Sequence, residues 1–485
     1  MQPTQNFPRL HSLPPILAVF LFLLPHALCA QDIDGVQPAA IDQPRINLLL
    51  RRQPNGPPLT TNASGQSTFN IESFLDTGAG SILISTSTAD QLGVQHELAP
   101  AANRAQIAQN KPQPVAANKS QPGGAQLGKA GIAGAGTTEV RFNDIGVGGE
   151  SQFAVSEPLI LSIAPETPNA DIDNKDSINT VYNQTVGPFR TDIGPLGIMN
   201  GLMAMLTGDM DVTGMPAMQG KIAVMDCRDV NAMTDKIRTT LYDAKTPAVS
   251  LSNPPASSPI PKTSHHIQLS YANFQRFTTT TPATAQGPAV AANPFIGPNP
   301  LEVLAISNKT PGVANKPPNA IRIPPLTVTH HGKSSSGSWL LDTGAVASMI
   351  SLHQAAAIGV TYAPGSQSTG SPLLLGVPAD QQFTLQVGGI GGMANSAGFY
   401  IDKLILPTRE GPPITYLHAP VLVADITVTD PASGKPFTLD GVFGMNFLVA
   451  SANISGGLLP DITKMTAGPF RWIVFDQPAG VLGLE

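Results

Sequence analysis

Charge is the scarcest ingredient of this sequence. Only 12% of its 485 residues are Asp, Glu, Lys or Arg, about half of what soluble domains usually carry. The net charge is −6 and the basic residues form no cluster, which argues against nucleic-acid binding through phosphate neutralisation. The mild acidic balance serves solubility. Cysteine is nearly absent: Cys29 and Cys227 are the only two. Cys29 lies in a segment expected to be removed, so the mature chain is expected to form no internal disulfide. A large exported chain without disulfides suits a bacterial envelope better than a eukaryotic secretory route. Cys227 follows an apolar run and reads as a packing residue. No second long apolar run follows the N-terminal one, so no later segment reads as membrane-spanning. No Gly-rich stretch leads into the Gly-Lys-Ser/Thr ending of a phosphate loop.

What is abundant points elsewhere. Gly and Pro number 46 and 47, which favours turns and short strands over long helices. Thr, Ser, Val and Ile are plentiful, so the fold class is expected to be mainly β with few short helices. The length calls for at least two domains. At the N-terminus, Arg9 precedes an apolar run from Ile16 to Leu24, and Pro25 breaks it. Ala27-Leu28-Cys29-Ala30 then offers a small-residue cleavage site, with Gln31 as the mature start. Residues 1–30 read as a signal peptide, and the alternative is an uncleaved membrane anchor. The expected location is secreted, periplasmic or cell-envelope.

The strongest signal is an internal repeat. Residues 74–94 read FLDTGAGSILISTSTADQLGV, and residues 340–360 read LLDTGAVASMISLHQAAAIGV. Asp-Thr-Gly-Ala, a later Ile-Ser pair and a closing Gly-Val align without a gap. One Asp-Thr-Gly triplet has roughly a one-in-ten chance of arising by accident in so long a chain. Two copies with matching flanks are not chance. Downstream, Gly194–Asn200 is matched to Gly441–Asn446, and Lys221–Asp226 to Arg471–Asp476. Between these motifs each half has a Gly-rich stretch, Gly131–Gly136 in the first and Gly388–Gly392 in the second. The expected organisation is an N-terminal lobe at 31–245, a Pro-rich connection at 246–320 and a C-terminal lobe at 321–485. The first lobe carries a polar insertion near 97–127.

The repeated motif has a chemical logic. An apolar strand delivers Asp76, and later Asp342, into a tight turn. Gly78 and Gly344 permit close backbone approach, and Thr77 and Thr343 can hold the turns through their hydroxyls. If the halves pack about a pseudo-twofold axis, the two carboxylates meet. Such a pair cannot easily hold two negative charges, so it shares one proton. The ionised member takes a proton from water while the protonated member polarises a carbonyl. That chemistry needs no covalent intermediate and no cofactor.

These residues resemble the aspartic protease clan, which includes pepsins and retropepsins. The resemblance covers most of the mature chain through the repeat, and is sharpest at Asp76-Thr77-Gly78 and Asp342-Thr343-Gly344. It implies two homologous acid-protease-type β lobes related by a pseudo-twofold axis. It further implies Asp76 and Asp342 as catalytic residues, and each triplet threonine bonding to the opposite loop. The apolar-Gly elements at Gly197 and Gly444 resemble the family's second motif, which supports the active-site loops from beneath. Two lobes in one chain resemble pepsins and imply a monomer. Ala79 and Ala345 after the triplets look more like retropepsins. Where pepsins place a Ser or Thr bonded to the catalytic Asp, this chain has alanine, which implies a less acid-shifted optimum. Pepsins also carry a flap tyrosine, yet no Tyr lies between Asp76 and Gly149. Gly131, Ile132 and Gly134 are the flap candidates by position, with Gly388–Gly392 as the counterpart.

The expected function is therefore aspartic endopeptidase activity on a peptide or protein substrate. The alternative is an exported peptide-binding pseudoprotease. His265-His266 and His330-His331 invite a metal-site reading. Neighbouring strand residues point to opposite faces, however, and no carboxylate or Cys cluster joins either pair in sequence. No metal site is expected there, and the Met-rich run Met199–Met225 reads as adaptable core.

Overall fold

Turn-rich sequence with β-branched and aromatic segments folds here into short strands, and the chain is mainly β. The computed structural model describes residues 30–53, 56–57, 59, 71–80, 82–96, 141–164, 195–199, 211–218, 220–230, 237–244, 251–272, 299–302, 325–429, 436–453 and 461–485. The signal segment, the insertion near 97–127 and the Gly131–Gly136 stretch lie outside the described residues. Among the described residues no helix is long and apolar enough to cross a membrane.

Two large sheets carry the structure. The 13-stranded sheet begins with His265–Gln268, Val481–Leu484, Trp472–Asp476, Lys221–Asp226, Arg238–Asp243 and Arg45–Arg51. It continues through Ile71–Leu75, Val212–Thr213, Ile82–Ser85 and Pro195–Met199 to a hairpin of Gly149–Pro158 and Arg141–Gly146. The 11-stranded sheet is built mostly from residues after 299. Its centre is Trp339–Leu341, Gly441–Phe443, Met349–Ile350, Ile414–Val423 and Gly392–Leu406.

Sequence pattern explains the layering. Leu326–His330 alternates buried and half-buried residues, so one face packs inward. Arg45–Arg51 is buried at all five interior positions, as a strand covered on both faces must be. Aromatic weight gathers under the second Asp-Thr-Gly turn, where Tyr416, Phe443 and Phe447 pack with centroids 4.8 to 6.0 Å apart. The Tyr416 hydroxyl donates to the Phe447 carbonyl at 2.9 Å, and the buried Trp339 indole N–H donates to Gln354 Oε1 at 2.8 Å. Both polar tips are thereby satisfied inside apolar surroundings. Cys227 is buried in the same apolar core, and burial pushes its thiol up, out of the range where it would be reactive.

Sheet membership does not follow the sequence halves. Gln31–Ile33 pairs in parallel with Ile414–Val423, and Ala39–Ala40 pairs with Ser451–Asn453. Conversely, Trp472–Asp476 pairs with Lys221–Asp226, placing Val474 opposite Val224. The Pro-rich connection contributes His265–Gln268 to one sheet and Ser270–Ala272 with Asn299–Glu302 to the other.

Candidate active site

Each Asp-Thr-Gly turn leaves the end of a strand hydrogen-bonded in parallel to a short partner. Leu75 lies opposite Thr213, and Leu341 lies opposite Phe443. The chain then turns and runs back antiparallel along the same partner, with Leu83 opposite Val212 and Met349 opposite Val442. Each Asp is thus pinned at a crossing of three strands. The Asp76 amide donates to the Thr213 carbonyl and the Asp342 amide to the Phe443 carbonyl, both at 3.0 Å. A short helix follows each return strand, capped by the serine of the aligned Ile-Ser pair. Ser85 Oγ accepts from the Thr88 amide, and Ser351 Oγ from the Gln354 amide.

The two turns interlock. The Thr77 amide donates to Thr343 Oγ1 at 3.0 Å, and the Thr343 amide donates to Thr77 Oγ1 at 3.1 Å. The hydroxyls continue the exchange: Thr77 Oγ1 donates to the Leu341 carbonyl at 2.7 Å, and Thr343 Oγ1 to the Leu75 carbonyl at 2.5 Å. Both threonines are fully buried, so breaking any of these bonds strands a polar group, at a cost of about 1–3 kcal/mol. The carboxyl groups face the opposite glycines. A Cβ on Gly78 would lie 2.4 Å from Cγ of Asp342, and one on Gly344 would lie 2.4 Å from Cγ of Asp76. Only glycine admits that approach.

The two carboxyls are not equivalent. Asp76 Oδ1 accepts the Gly78 amide at 2.7 Å and the Ala79 amide at 3.1 Å. Asp342 Oδ1 is buried without a hydrogen bond of ordinary geometry, although the Gly344 and Ala345 amides lie close enough to favour its ionised form. Burial dominates, and the Asp76 charge and a hydrogen bond with Asp76 act in the same direction. Together they hold the Asp342 carboxyl well above the usual carboxylate range.

Above the turns, two hairpins meet. One joins Arg141–Gly146 to Gly149–Pro158, and the other joins Gln382–Gly389 to Gly392–Leu406. The Gly148 amide donates to the Ile390 carbonyl at 3.0 Å. The tips are in tight contact: a Cβ on Gly148 would lie 2.3 Å from the Gly392 nitrogen, and one on Gly391 would lie 2.2 Å from the Gly149 nitrogen. Val147, at the first tip, packs against an apolar cluster containing Leu385 and Val387 of the second hairpin. Ala345 and Val346, beside the Asp342 turn, pack against the same cluster.

Several sequence expectations need correction. The residues Gly131, Ile132 and Gly134 lie outside the described residues, and the hairpin meeting Gly388–Gly392 is the one turning at Gly146–Gly149. Gly197 does not occupy the counterpart position of Gly444. Its strand, Pro195–Met199, instead pairs in parallel with Ile82–Ser85, as Ile414–Val423 does with Met349–Ile350. The counterpart of Gly444 is Gly214. The Met215 amide donates to the Ala79 carbonyl at 2.9 Å, and the Met445 amide to the Ala345 carbonyl at 2.9 Å. The sequence signal for this was the shared Gly-Met pair, Gly214-Met215 and Gly444-Met445. Finally, carboxylates do join the histidine pairs: Glu410 hydrogen-bonds His266, and Asp402 lies beside both His330 and His331.

No protein-family model matches the chain, and no curated protein matches it significantly.

Proposed function

We propose that the chain is an exported aspartic endopeptidase, working as a monomer of two acid-protease-type lobes about a pseudo-twofold axis. The observation that carries this reading is the reciprocal threonine exchange that sets Asp76 and Asp342 side by side. The antiparallel pairing of the repeated strands Lys221–Asp226 and Trp472–Asp476 supports the same axis. Residues matched in the repeat, Val224 and Val474, lie opposite each other, as they would if they straddled it.

The chemistry follows from the pair. The two carboxyls share one proton, and the raised pKa at Asp342 supports the proton residing there at the start. Asp76, ionised and steadied by two amides, accepts a proton from water as the water oxygen bonds to the scissile carbonyl carbon. The carboxyl proton is donated to the carbonyl oxygen. The C–N bond then breaks, and the amide nitrogen leaves with a proton returned by the pair. An extended peptide held between the turns and the hairpin tips would hydrogen-bond as an added strand, with alternate side chains reaching apolar pockets. The tips would have to part to admit it.

The test is cleavage of a mixed peptide library from pH 3 to 8. Asp76→Asn and Asp342→Asn should each lower the rate by at least about 10²–10⁴-fold, and a statine-type mimic should inhibit the unaltered chain. A folded chain that cleaves nothing at any pH would replace this reading with peptide binding without hydrolysis.

A further inference from the structure

The hairpin of Leu326–His330 and Lys333–Gly337 directly precedes the strand that leads to Asp342 and carries an unused set of donor atoms. His330 pairs with Lys333 across a two-residue turn. The turn residues His331 and Gly332 have φ of 47° and 75°, the positive values of a type I′ hairpin turn. Asparagine is the usual first residue of such a turn, and histidine is an uncommon one. The argument that neighbouring histidines face apart holds within a strand, and His331 is outside it. On the other side, Thr329 pairs with Lys403 of Gly392–Leu406, so the antiparallel register brings Asp402 beside His330.

The three side chains converge. One ligand atom from each of His330, His331 and Asp402 lies within 4.8 Å of the others. His330 is only 2% exposed, and neither of its ring nitrogens makes a hydrogen bond. Its Nδ1 is 3.2 Å from Asp402 Oδ1, close but not in hydrogen-bonding geometry. Two ligand atoms on one tetrahedral zinc at ordinary bond lengths stand about 3.3 Å apart. Asp402 is oriented by its other oxygen, Oδ2, which accepts the His331 amide at 2.7 Å. The His330 ring is fixed by Phe399, edge-on at 5.1 Å. The Gly376 carbonyl lies near the ring, the kind of neighbour that commonly receives the second N–H of a ligating histidine. The exposed His331 ring lies 4.2 Å from the His330 ring, tilted by 34°.

We propose that His330, His331 and Asp402 bind a divalent transition-metal cation of the zinc type, clamping the 330–333 hairpin turn to the long strand Gly392–Leu406. Two imidazole nitrogens and one carboxylate oxygen suit zinc and leave a position for water. The buried His330, whose ring nitrogens make no hydrogen bond of ordinary geometry, supplies the ligand that surface histidines lack. The site stands independently of any activity at Asp76 and Asp342.

Equilibrium dialysis of the metal-freed full chain against Zn²⁺, with Co²⁺ absorption as a second readout, tests the site. One Zn²⁺ per chain is expected, weakened on the order of tenfold or more by either His331→Asn or Asp402→Asn. His331→Asn is the decisive variant, because asparagine suits the turn and the chain should melt no lower than the parent in chelator. Bound Co²⁺ should show the strong visible absorption of tetrahedral coordination, lost in both variants. Failure to bind Zn²⁺ at micromolar free metal would overturn the proposal. So would stoichiometric binding left unchanged by His331→Asn.

Discussion

At the residue scale, burial first and then the Asp76 charge hold the Asp342 carboxyl well above the usual carboxylate range. A carboxyl whose pKa is raised on folding holds its proton more tightly in the folded chain. Its contribution to stability is complete below the ordinary carboxylate range and is lost as pH rises through the raised value. Asp342→Asn removes that loss. The variant should melt higher than the parent at pH 7, and the difference should vanish as pH falls below the ordinary carboxylate range. Thermal melts of both chains from pH 3 to 8 check this, and parallel profiles would mean that Asp342 is not the group responsible. On the proposed function the same substitution should also lower hydrolysis by at least about 10²–10⁴-fold, so one residue would link lost activity to gained stability. Both aspartates could be read from sequence because the Asp-Thr-Gly triplet is short, local and repeated. Their inequality could not, since it depends on which amides reach each carboxyl.

At the scale of elements, the hairpin tips are the most demanding contact. Gly148→Ala would press a methyl group against the Gly392 backbone, and backbone cannot step aside as a side chain can. The expected result is loss of amide-exchange protection at residues 390–392. The cost is roughly 1–3 kcal/mol of local stability, and a changed kcat/KM follows if the tips govern substrate entry. Gly389→Ala is the control, because its Cβ would meet only a side-chain atom, Cγ1 of Val147 at 3.1 Å. Its effect on exchange should be smaller. These elements were only partly legible in the sequence. Gly388–Gly392 was recognisable as a turn. In the first half, Gly131–Gly136 and Gly146–Gly149 hold the same number of glycines, so composition does not choose between them, and Gly146–Gly149 is the turn between the paired strands. Gly197 and Gly214 each lie just before a methionine, Met199 and Met215. What separates them is the strand each lies beside, a non-local fact that a short motif does not carry. Asp402 is likewise separated from His330 by 71 intervening positions, and only strand register joins them.

At the scale of the whole molecule, the strands Gln31–Ile33 and Ala39–Ala40 pair with strands from the other end of the sequence. Trp472–Asp476 and Val481–Leu484 lie in the sheet containing Lys221–Asp226 and Arg45–Arg51. The expected domain boundaries at 245 and 320 mark a sequence repeat more faithfully than they mark sheet membership. The mainly-β character was predictable from composition, but this weaving was not, because no residue type signals which distant edge it will join. A cleavable site inserted between residues 303 and 324 provides the measurement. After the cut, the two fragments should still co-migrate on native gel filtration and separate only in denaturant. Two peaks under native conditions would show that the woven strands do not hold the halves together.

That weave has a consequence for anyone trying to express the halves separately. Neither fragment would be a finished object: each would lack edge strands that the other supplies and would expose the open sheet margins that invite aggregation. Mixed together during refolding, the same fragments should complement each other. The peptide bond between them then serves chiefly to keep their local concentrations high while they find one another.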